Sequence, residues 1–396
     1  MDNQIRRISA HYIFTNIDNP IKNGIVSVLN DGTIVNIEKS NKETANTEFY
    51  NGVIVPGFVN AHCHLELSHM KGILKPGKHL IDFLLGINNL RTDISYKSEP
   101  AINADRQMFI DGISVVGDIS NRTDCGSIKN NSKIFYKNFI ELIGTSNQRI
   151  VKNIDTYNNI KVEYNKLGIS ENDIIAVPHA PYSVSPMMFE TINQLNKNKN
   201  IISIHNQETE AENELYISGK GDMKEKFPTA GIDVSLIPTT GKSSLQSYGK
   251  YLREYENVLL IHNTFTKQDD IDYAKNNFKN PYFVLCPNSN LNLEHCLPNV
   301  KCFIKNNLNI CIGTDSLSSN NQLSIIEELK TLRVNFPDID FETLLKMATI
   351  NGAKALQVNN NFGKIEIGKK PGIVLIEKFD FENMNISVNS KAKRII

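Results

Sequence analysis

The stretch that decides the fold is residues 53–69, Val-Ile-Val-Pro-Gly-Phe-Val-Asn-Ala-His-Cys-His-Leu-Glu-Leu-Ser-His. An apolar run leads directly into His62-Cys63-His64, and Pro56 and Gly57 predict a bend just before the strand. Because side chains alternate between the two faces of a strand, His62 and His64 point the same way. Two imidazoles at one strand end provide half of a metal site, although a His-x-His pair also occurs as two unrelated histidines.

Apolar runs rich in β-branched residues recur downstream, separated by longer segments. With the first, there are eight: Val53–His62, Ile113–Asp118, Lys133–Ile140, Asp173–His179, Ile201–His205, Val258–His262, Tyr282–Cys286 and Asn309–Asp315. Near-continuous apolar runs are typical of parallel strands that helices cover on both faces. Between them, Pro186–Asn196 and Ile325–Val334 have helical apolar spacing. Eight strand–helix units predict an α/β fold, namely a (β/α)8 TIM barrel.

Additional β-structure is predicted near both ends of the chain. The first part contains three short strands, Ile8–Phe14, Gly24–Leu29 and Thr33–Glu38, with a hairpin turn at Asn30-Asp31-Gly32. A helix is predicted over residues 342–356, and residues 363–376 return to strands and turns. We therefore predict two units: a metal-dependent barrel over residues 56–361, and a composite β-sandwich built from residues 1–55 and 362–396.

Composition limits the classes of partner. The 396 residues are 40% hydrophobic and 22% charged, and 43 basic residues balance 43 acidic ones. No basic face is implied, so we expect a small-molecule substrate and no nucleic acid partner. No secretory signal or membrane span is recognisable, and the six cysteines lack Cys-x-x-Cys spacing, so we expect reduced thiols in a cytoplasmic protein without a membrane partner. The sequence leaves open whether the chain forms a homo-oligomer.

Polar residues stand at the carboxyl ends of the apolar runs. They are His62 and His64 after the first run, His179 after the fourth, His205 after the fifth, His262 after the sixth and Asp315 after the eighth. In a barrel of this kind the carboxyl ends of the strands carry the active site. Scattered core histidines would not share one end of four strands, so this register is stronger evidence than any single motif.

Three imidazoles and one carboxylate, from His62, His64, His205 and Asp315, would bind one divalent metal ion. Zinc is favoured, and iron(II), manganese or cobalt stay open. A water on such an ion ionises near neutral pH. Glu208 lies three residues beyond His205 and could shuttle a proton between water and substrate. His262 would orient the attacking oxygen, and Asp315 could accept the proton of the water. We expect the other acids of this segment, Glu210, Glu212 and Glu214, to form a solvated face.

Together these motifs resemble the amidohydrolase superfamily. Its branch of aromatic-ring deaminases and chlorohydrolases is similar in five places: Pro56–His64, Pro178–Pro186, His205–Glu208, Cys286–Leu293 and Gly313–Asn320. The resemblance implies a barrel with one metal and a flanking β-sandwich, with His62, His64, His205 and Asp315 as ligands, Glu208 as proton shuttle, and His262 and His179 in the pocket. No lysine ends the fourth run, where binuclear branches place a carbamylated bridge.

Other residues are candidates for substrate binding by resemblance. Glu66 resembles a version seen in aminofutalosine-type deaminases, where it would face the sugar or tail of the substrate; a loop acid that holds a backbone amide is equally consistent. Ser289 and Asn290 would shape the pocket or cap the turn after the seventh run. We interpret His69 and His79 as surface or loop histidines.

The predicted activity is hydrolytic deamination of an aminated aromatic heterocycle, with release of ammonia. Resemblance favours an adenosine-like nucleoside: 6-aminofutalosine, 5′-methylthioadenosine, 5′-deoxyadenosine or S-adenosylhomocysteine. Alternatives are guanine- or cytosine-type deamination, cyclic amide hydrolysis and dechlorination, since all use the same hydroxide. A catalytically silent barrel would be expected to lack ligands or the shuttle acid, and here the set is complete.

Overall fold

The fold is built from apolar strands and the helices that follow them. The computed structural model describes residues 5–40, 44–73, 79–90, 96–230 and 232–396. The predicted domain ranges also include residues 1–4, 41–43, 74–78, 91–95 and 231, which lie outside the described residues. No helix in the described part is long and apolar enough to cross a membrane.

The described residues form 15 strands. In chain order they are β1 (Ile5–Ile13), β2 (Ile21–Lys22), β3 (Gly24–Leu29), β4 (Ile34–Lys39), β5 (Thr47–Pro56), β6 (Phe58–Cys63), β7 (Ile113–Ile119), β8 (Phe135–Leu142), β9 (Ile174–Pro178), β10 (Ile201–Asn206), β11 (Asn257–His262), β12 (Asn280–Leu285), β13 (Asn309–Ile312), β14 (Ile373–Glu377) and β15 (Lys391–Arg394).

The helices lie mainly between the strands from β6 onward. They are α1 (Leu80–Leu90), α2 (Ser98–Ile110), α3 (Gly126–Asn131), α4 (Asn147–Lys166), α5 (Pro186–Leu195), α6 (Glu210–Ser218), α7 (Asp222–Lys226), α8 (Ser244–Tyr248), α9 (Gln268–Asn277), α10 (Pro287–Glu294), α11 (Val300–Lys305), α12 (Ile325–Asn335), α13 (Phe341–Ala348) and α14 (Ile350–Ala355). Short 3-10 helices cover Leu65–Met70, Glu171–Asp173, Pro181–Ser183, Phe227–Ala230 and Gly249–Leu252.

Two four-stranded parallel sheets lead to the predicted site residues. One sheet has the order β6-β7-β8-β9 and the other β10-β11-β12-β13. Backbone hydrogen bonds link them on both sides: the carbonyl of His179 accepts from the amide of His205 at 3.0 Å, and that of His62 accepts from the amide of Thr314 at 3.0 Å. The strands are almost wholly buried, as parallel strands under helices are. The prediction of an α/β fold with parallel sheets is confirmed.

A separate sheet combines strands from both parts of the chain that flank the parallel sheets. Its order is β15-β14-β5-β1-β3-β4, with β2 beside β1. β14 pairs antiparallel with β5, so Ile376 lies opposite Val53. β3 and β4 also pair antiparallel, which confirms the hairpin predicted at Asn30-Asp31-Gly32.

The first predicted strand, Val53–His62, is wrong in one respect, because it contains two strands in different sheets. Val53–Val55 belong to β5, and β6 begins only at Phe58. Gly57 separates them where the chain passes very close to its neighbours: a Cβ atom there would lie 1.9 Å from the Ser114 hydroxyl oxygen and 2.4 Å from the Pro371 carbonyl oxygen. Only glycine fits this crossing, so the bend predicted at Pro56 and Gly57 is a change of sheet.

The predicted helices are present with one interruption. Pro186–Asn196 corresponds to α5, whose first turn is capped by the hydroxyl of Ser185. Residues 342–356 form two helices, α13 and α14, because Thr349 leaves helical geometry with φ −138° and ψ −89°. A break of this kind does not disturb the apolar spacing, so the sequence pattern reads as one helix.

The six cysteines are free, as expected.

Candidate active site

His62 and His64 lie side by side at the end of β6. Their Nε2 atoms are 3.1 Å apart, and both side chains are buried. Burial is the main reason that the pKa of His64 lies well below its usual range, and the charge of His62 lowers it further. Burial lowers the pKa of His62 as well, so burial favours the neutral form of both imidazoles, which is the form that binds metal ions.

Asp315 faces this pair from the segment that follows β13. Its Oδ1 atom lies 3.4 Å from His64 Nε2 and 3.7 Å from His62 Nε2. Ser289 donates to Oδ2 at 2.7 Å, and Ser319 donates to the same atom. Burial would raise the pKa of Asp315, but the hydrogen bond of His62 and the charges of His64 and His262 outweigh burial and hold the pKa well below its usual range.

His205 and His262 end the neighbouring strands β10 and β11. His205 Nδ1 donates to the carbonyl of His179 at 2.7 Å, and its ring stacks on that of His262 with centroids 5.5 Å apart. His262 Nδ1 donates to Asn290 Oδ1 at 3.0 Å, so its Nε2 faces the site. His262 has φ +72° and Asp315 has φ +57°, which are uncommon values outside glycine and typical of residues held at functional sites.

Glu208 is buried beside His262. The distance from His262 Nε2 to Glu208 Oε1 is 3.5 Å. Burial, followed by the charges of Asp315 and Glu294, raises the pKa of Glu208 well above its usual range. The carboxyl group therefore holds a proton more readily than an exposed glutamate does, as a general acid requires.

The interpretation of Glu212 as part of a solvated face is wrong. Glu212 is fully buried, while Glu210 and Glu214 are exposed as expected. Its Oε1 atom accepts from the amide of Gln207 at 2.9 Å and from the hydroxyl of Ser244. Gln207 has φ +47°, so this carboxyl group fixes the sharp turn that presents Glu208. In the sequence, a glutamate stands at every second position from 208 to 214. This pattern does not show which of these side chains is buried.

The residues predicted to bind substrate have different surroundings. His179 and Glu66 line the cavity at the site, and Glu66 Oε2 also accepts from the backbone amide of Asn121 at 2.8 Å. Ser289 and Asn290 are buried behind the cavity, where they bond to Asp315 and His262. His69 Nδ1 bonds to the carbonyl of Glu66, and His79 is exposed.

Sequence reasoning missed Glu141 and Asn121. Glu141, in β8, is buried, with Oε1 at 3.3 Å from His205 Nδ1 and Oε2 accepting from the Asn121 side-chain amide at 3.0 Å. The predicted strand Lys133–Ile140 stopped one residue short of Glu141. Had that strand been extended, Glu141 would have stood at its carboxyl end, as the other polar residues do, and the same signal would have identified it.

A small inner cavity of about 70 Å³ lies between His64, His179, His205 and His262. Its carboxyl groups are Glu66, Glu141, Glu208 and Asp315. An apolar wall opposite is formed by Phe83, Leu84, Ile87 and Leu293. The arrangement combines a polar floor with an apolar side that a flat aromatic ring can contact.

Nitrogen and oxygen donors at this site form three groups that could hold a metal ion. His62, His64 and Asp315 form a group whose donor atoms all lie within 4.8 Å of one another, and so do His62, His205 and His262. His64, Glu141 and His205 form a third such group. Buried neutral imidazoles with a low-pKa carboxylate are the donor chemistry of catalytic zinc sites.

The sequence model of the Amidohydrolase family matches residues 53–395. The chain belongs to the Amidohydrolase family. This confirms the predicted superfamily. Among the curated relatives, an adenosine deaminase of Helicobacter pylori is 28% identical over 360 residues, covering 88% of this chain and 85% of that protein. A 5-methylthioadenosine/S-adenosylhomocysteine deaminase of Clostridium tetani is 27% identical over 348 residues, covering 82% and 72%.

Solved structures of two deaminases share the fold. The aminofutalosine deaminase of Helicobacter pylori, in complex with methylthio-coformycin, superposes with a TM-score of 0.81 at 22% identity, covering 99% of this chain and all of that one. An adenosine deaminase of Xanthomonas campestris with bound zinc gives a TM-score of 0.70 at 20% identity, covering 94% and 84%. The family is metal-dependent, which agrees with the donor groups of the inner cavity.

Proposed function

We propose that this chain is a metal-dependent hydrolytic deaminase of an adenosine-like nucleoside. The observation that carries the proposal is the placement of the buried Glu208 carboxyl in the same inner cavity as His64, His205 and Asp315. Several relatives are named as deaminases of adenosine or its 5′-modified forms, which supports this substrate class. The electron-poor C6 of adenine, with its amine beside ring nitrogen N1, suits this chemistry.

We infer that His62, His64, His205 and Asp315 hold one divalent ion, with zinc favoured over iron(II) or manganese. Their side chains are buried, and close groups of donor atoms join His62 with His64 and Asp315 and, separately, His62 with His205 and His262. Position 178, where the fourth parallel strand ends, carries proline and not a lysine that could bridge two ions. When bound, such an ion lowers the pKa of a coordinated water to about 7.

The roles of the chain's own residues follow from their contacts. Glu208 would donate its proton to the ring nitrogen next to the carbon that loses its amine, because its pKa is raised and it faces the inner cavity. One proton of the attacking water would replace the proton that Glu208 gives to the ring nitrogen. Asp315 would accept the other at Oδ1, since two serines already occupy Oδ2, and would pass it to the departing amine, which leaves as ammonia. His262, fixed by Asn290, would orient the attacking oxygen. Ser289 and Asn290 thus act as positioning residues.

The sugar hydroxyl groups would bind near Glu66, as the sequence suggested. Asn121 joins two carboxyl groups there: its backbone amide donates to Glu66, and its side-chain amide donates to Glu141. The side-chain oxygen Oδ1 of Asn121 in turn accepts from the backbone amide of Glu141 at 2.9 Å. Carboxylates fixed in this way can accept paired hydroxyl hydrogen bonds. We propose Glu66 as the hydroxyl-binding residue and Glu141 as its neighbour on the same wall.

The architecture that we propose for this function is a closed (β/α)8 barrel with a flanking β-sandwich. The backbone hydrogen bonds at His62 and His179 on both sides of the two parallel sheets support closure. The pairing of β14 with β5 supports a composite unit from residues 1–55 and 362–396 beside a barrel over residues 56–361. A closed barrel would bring all the proposed ligands to one face.

A panel of aminated heterocycles tests the proposed function. Protein supplied with one equivalent of zinc should release ammonia from adenine nucleosides and change their ultraviolet absorption as the 6-oxo product forms. Glu208→Gln serves as the matched inactive protein. Activity on guanine, cytosine, a cyclic amide or a chlorinated triazine, with none on any adenine nucleoside, would contradict the substrate assignment. If no compound in the panel released a product, the proposal that the chain is a hydrolytic enzyme would be contradicted.

A further inference from the structure

Gln207 lies in the turn between His205, a proposed metal ligand, and Glu208, the proposed acid. Its side chain is fully buried and does not belong to the lining of the inner cavity. Its backbone has φ +47°, in the left-handed region that residues other than glycine rarely adopt. Such a conformation persists only where the surrounding structure holds it, and it often stands at a functional site. The contacts that hold Gln207 therefore also hold Glu208, the next residue.

The side-chain amide of Gln207 is hydrogen-bonded at both of its atoms. Nε2 donates to Asp270 Oδ2 at 2.9 Å and to Asn213 Oδ1 at 3.1 Å. Oε1 accepts from the hydroxyl of Thr266 at 2.6 Å. Thr266 lies in the loop after β11, and Asp270 lies in the first turn of α9, which follows that loop. Because the amide is both a donor and an acceptor, it joins the turn after β10 to this loop at two points.

The backbone connects the same two segments. The amide of Phe265 donates to the carbonyl of Gln207 at 2.9 Å. His262 and Asn263, where β11 passes into its loop, also have positive φ values, +72° and +58°. Two left-handed turns at the ends of neighbouring strands are thus fixed against each other. One presents Glu208 and the other presents His262, whose Nε2 atom lies 3.5 Å from Glu208 Oε1.

We propose that Gln207 is a positioning residue that sets the placement of the Glu208 carboxyl relative to the imidazole of His262. It does so through its hydrogen bonds to Asp270 and Thr266. This inference rests on the proposed function, because it requires Glu208 as the acid and His262 as the group that orients the attacking oxygen. Displacement of a reacting group by about 1 Å can lower a rate by about 100-fold, even when the change lies far from the chemistry. Loss of the Gln207 side-chain bonds should therefore affect turnover more than substrate binding.

The first test is Gln207→Met, which keeps the length of the side chain and removes its donor and its acceptor. With an adenine nucleoside as substrate, kcat should fall by roughly 10- to 100-fold, and KM should change little. Metal content should stay the same, because the amide and Nδ1 of His205 both donate to the carbonyl of His179 on the other side. The fold should persist, since Asp270 Oδ2 still accepts from the amide of Lys267.

Gln246→Met is the matched control. Gln246, on α8, donates to the other oxygen of Asp270 at 3.0 Å. The same substitution there removes a donor from the same carboxylate without breaking its connection to Gln207. Both kcat and KM should stay nearly unchanged in this variant.

A double-mutant cycle with Glu208→Gln separates positioning from general stability. If Gln207 acts through the Glu208 carboxyl, Gln207→Met should cost little further kcat once Glu208→Gln has removed the acid. A structural effect on the whole site would instead lower kcat by the same factor in both backgrounds. Gln207→Glu with Asp270→Asn exchanges the donor and the acceptor of one hydrogen bond, and the pair should recover part of the kcat that Gln207→Glu alone loses.

Three outcomes would overturn the proposal. They are an unchanged kcat in Gln207→Met, an equal loss of kcat with and without Glu208→Gln, and loss of metal from Gln207→Met, which would indicate a structural role toward His205. Each of them leaves the proposed function standing, because the unmodified protein still releases ammonia. If the unmodified protein released no ammonia from any adenine nucleoside, the proposed function would be contradicted and this inference with it.

Discussion

Glu208 is the residue on which the proposed chemistry would depend most directly. It is buried in the inner cavity, 3.5 Å from His262, and the start of α6 places it there through the turn at Gln207. The sequence predicted from the spacing to His205 that Glu208 lies over the pocket, and Glu208 does line the inner cavity. Its role as proton shuttle stays a prediction.

Glu208→Gln should keep the metal content and the fold but lose turnover. Glutamine has the size of glutamate but cannot carry the proton, so kcat should fall by about 10²–10⁴. Steady-state ammonia release measures the effect, and metal analysis with circular dichroism checks integrity. Glu210→Gln, exposed two residues away, should be nearly silent. A near-normal kcat in Glu208→Gln would move the role to Asp315.

Glu212 gives the protein a pH-dependent stability. Burial raises its pKa to about 8, although the hydrogen bonds from Ser244 and Gln207 lower it. Because the folded state favours the protonated form, this contribution is complete below about pH 4.5, the ordinary value, and is lost as pH rises through about 8. Relative to Glu212→Gln, the free energy of unfolding of the unmodified protein should therefore fall across this window, by up to about 1.4 kcal/mol per pH unit.

Thermal unfolding of both proteins between about pH 5 and about pH 9 measures this difference. Glu214→Gln is the control, since Glu214 is exposed on the same helix. A difference that does not change with pH would show that Glu212 is ionised throughout. Glu212 could not be identified as a buried residue from the sequence, because burial of an acid depends on packing between distant elements, whereas Glu141 was missed because the predicted strand ended one residue too early.

At the scale of elements, the strand ends were predictable and the junctions between elements were not. Seven of the eight apolar runs correspond to single parallel strands within a few residues, since burial on both faces makes a continuous apolar pattern. The break at Thr349 and the change of sheet at Gly57 leave no mark in apolar spacing. Both depend on close contacts with residues far away in the chain.

A buried ion pair connects α3 with β7, and β7 in turn is linked to Leu65, the residue after the proposed ligand His64. Lys129 and Asp118 form an ion pair that is almost completely inaccessible to solvent. Lys129 also donates to Asn138 Oδ1 at 3.1 Å, while Asp118 Oδ1 accepts from the amide of Leu65 at 2.8 Å. Leu65 directly follows His64. The pair therefore anchors the backbone that presents a proposed ligand.

Lys129→Met should lower the free energy of unfolding by about 3–5 kcal/mol, because it leaves Asp118 buried without a countercharge. Denaturant unfolding measures the loss. Adding Asp118→Asn to Lys129→Met removes the remaining charge and should recover part of the stability. Lys166→Met, at an exposed position, should change the stability little. An equally small effect of Lys129→Met would contradict a stabilising role for the ion pair.

For the whole molecule, the proposed metal ion would join distant parts of the chain. The proposed ligands come from β6, from β10 and from the segment after β13. The sequence predicted this convergence because parallel strands bring their carboxyl ends to one edge. It could not predict the hydrogen bonds around Gln207, whose partners come from loops and helix starts without a regular pattern.

Gently purified protein should contain about one equivalent of a divalent metal by elemental analysis. His62→Ala and His205→Ala should lose it, and His69→Ala should retain it, since His69 bonds to a loop carbonyl. Chelation should lower the melting temperature, because an ion at 100 times its Kd stabilises the folded state by about 2.7 kcal/mol. Two tightly bound equivalents would contradict the single-ion site.

The pairing of β5 with β14 also has a consequence for synthesis on the ribosome. The paired residues Val53 and Ile376 are more than 300 positions apart in the chain. At ordinary rates of translation, on the order of 15 to 60 s pass between the emergence of the two strands. During that time one edge of β5 has no partner, and an unpaired strand edge is a template for pairing with other chains. A chaperone that covers nascent strand edges should therefore raise the yield of this protein more than one that acts only after release.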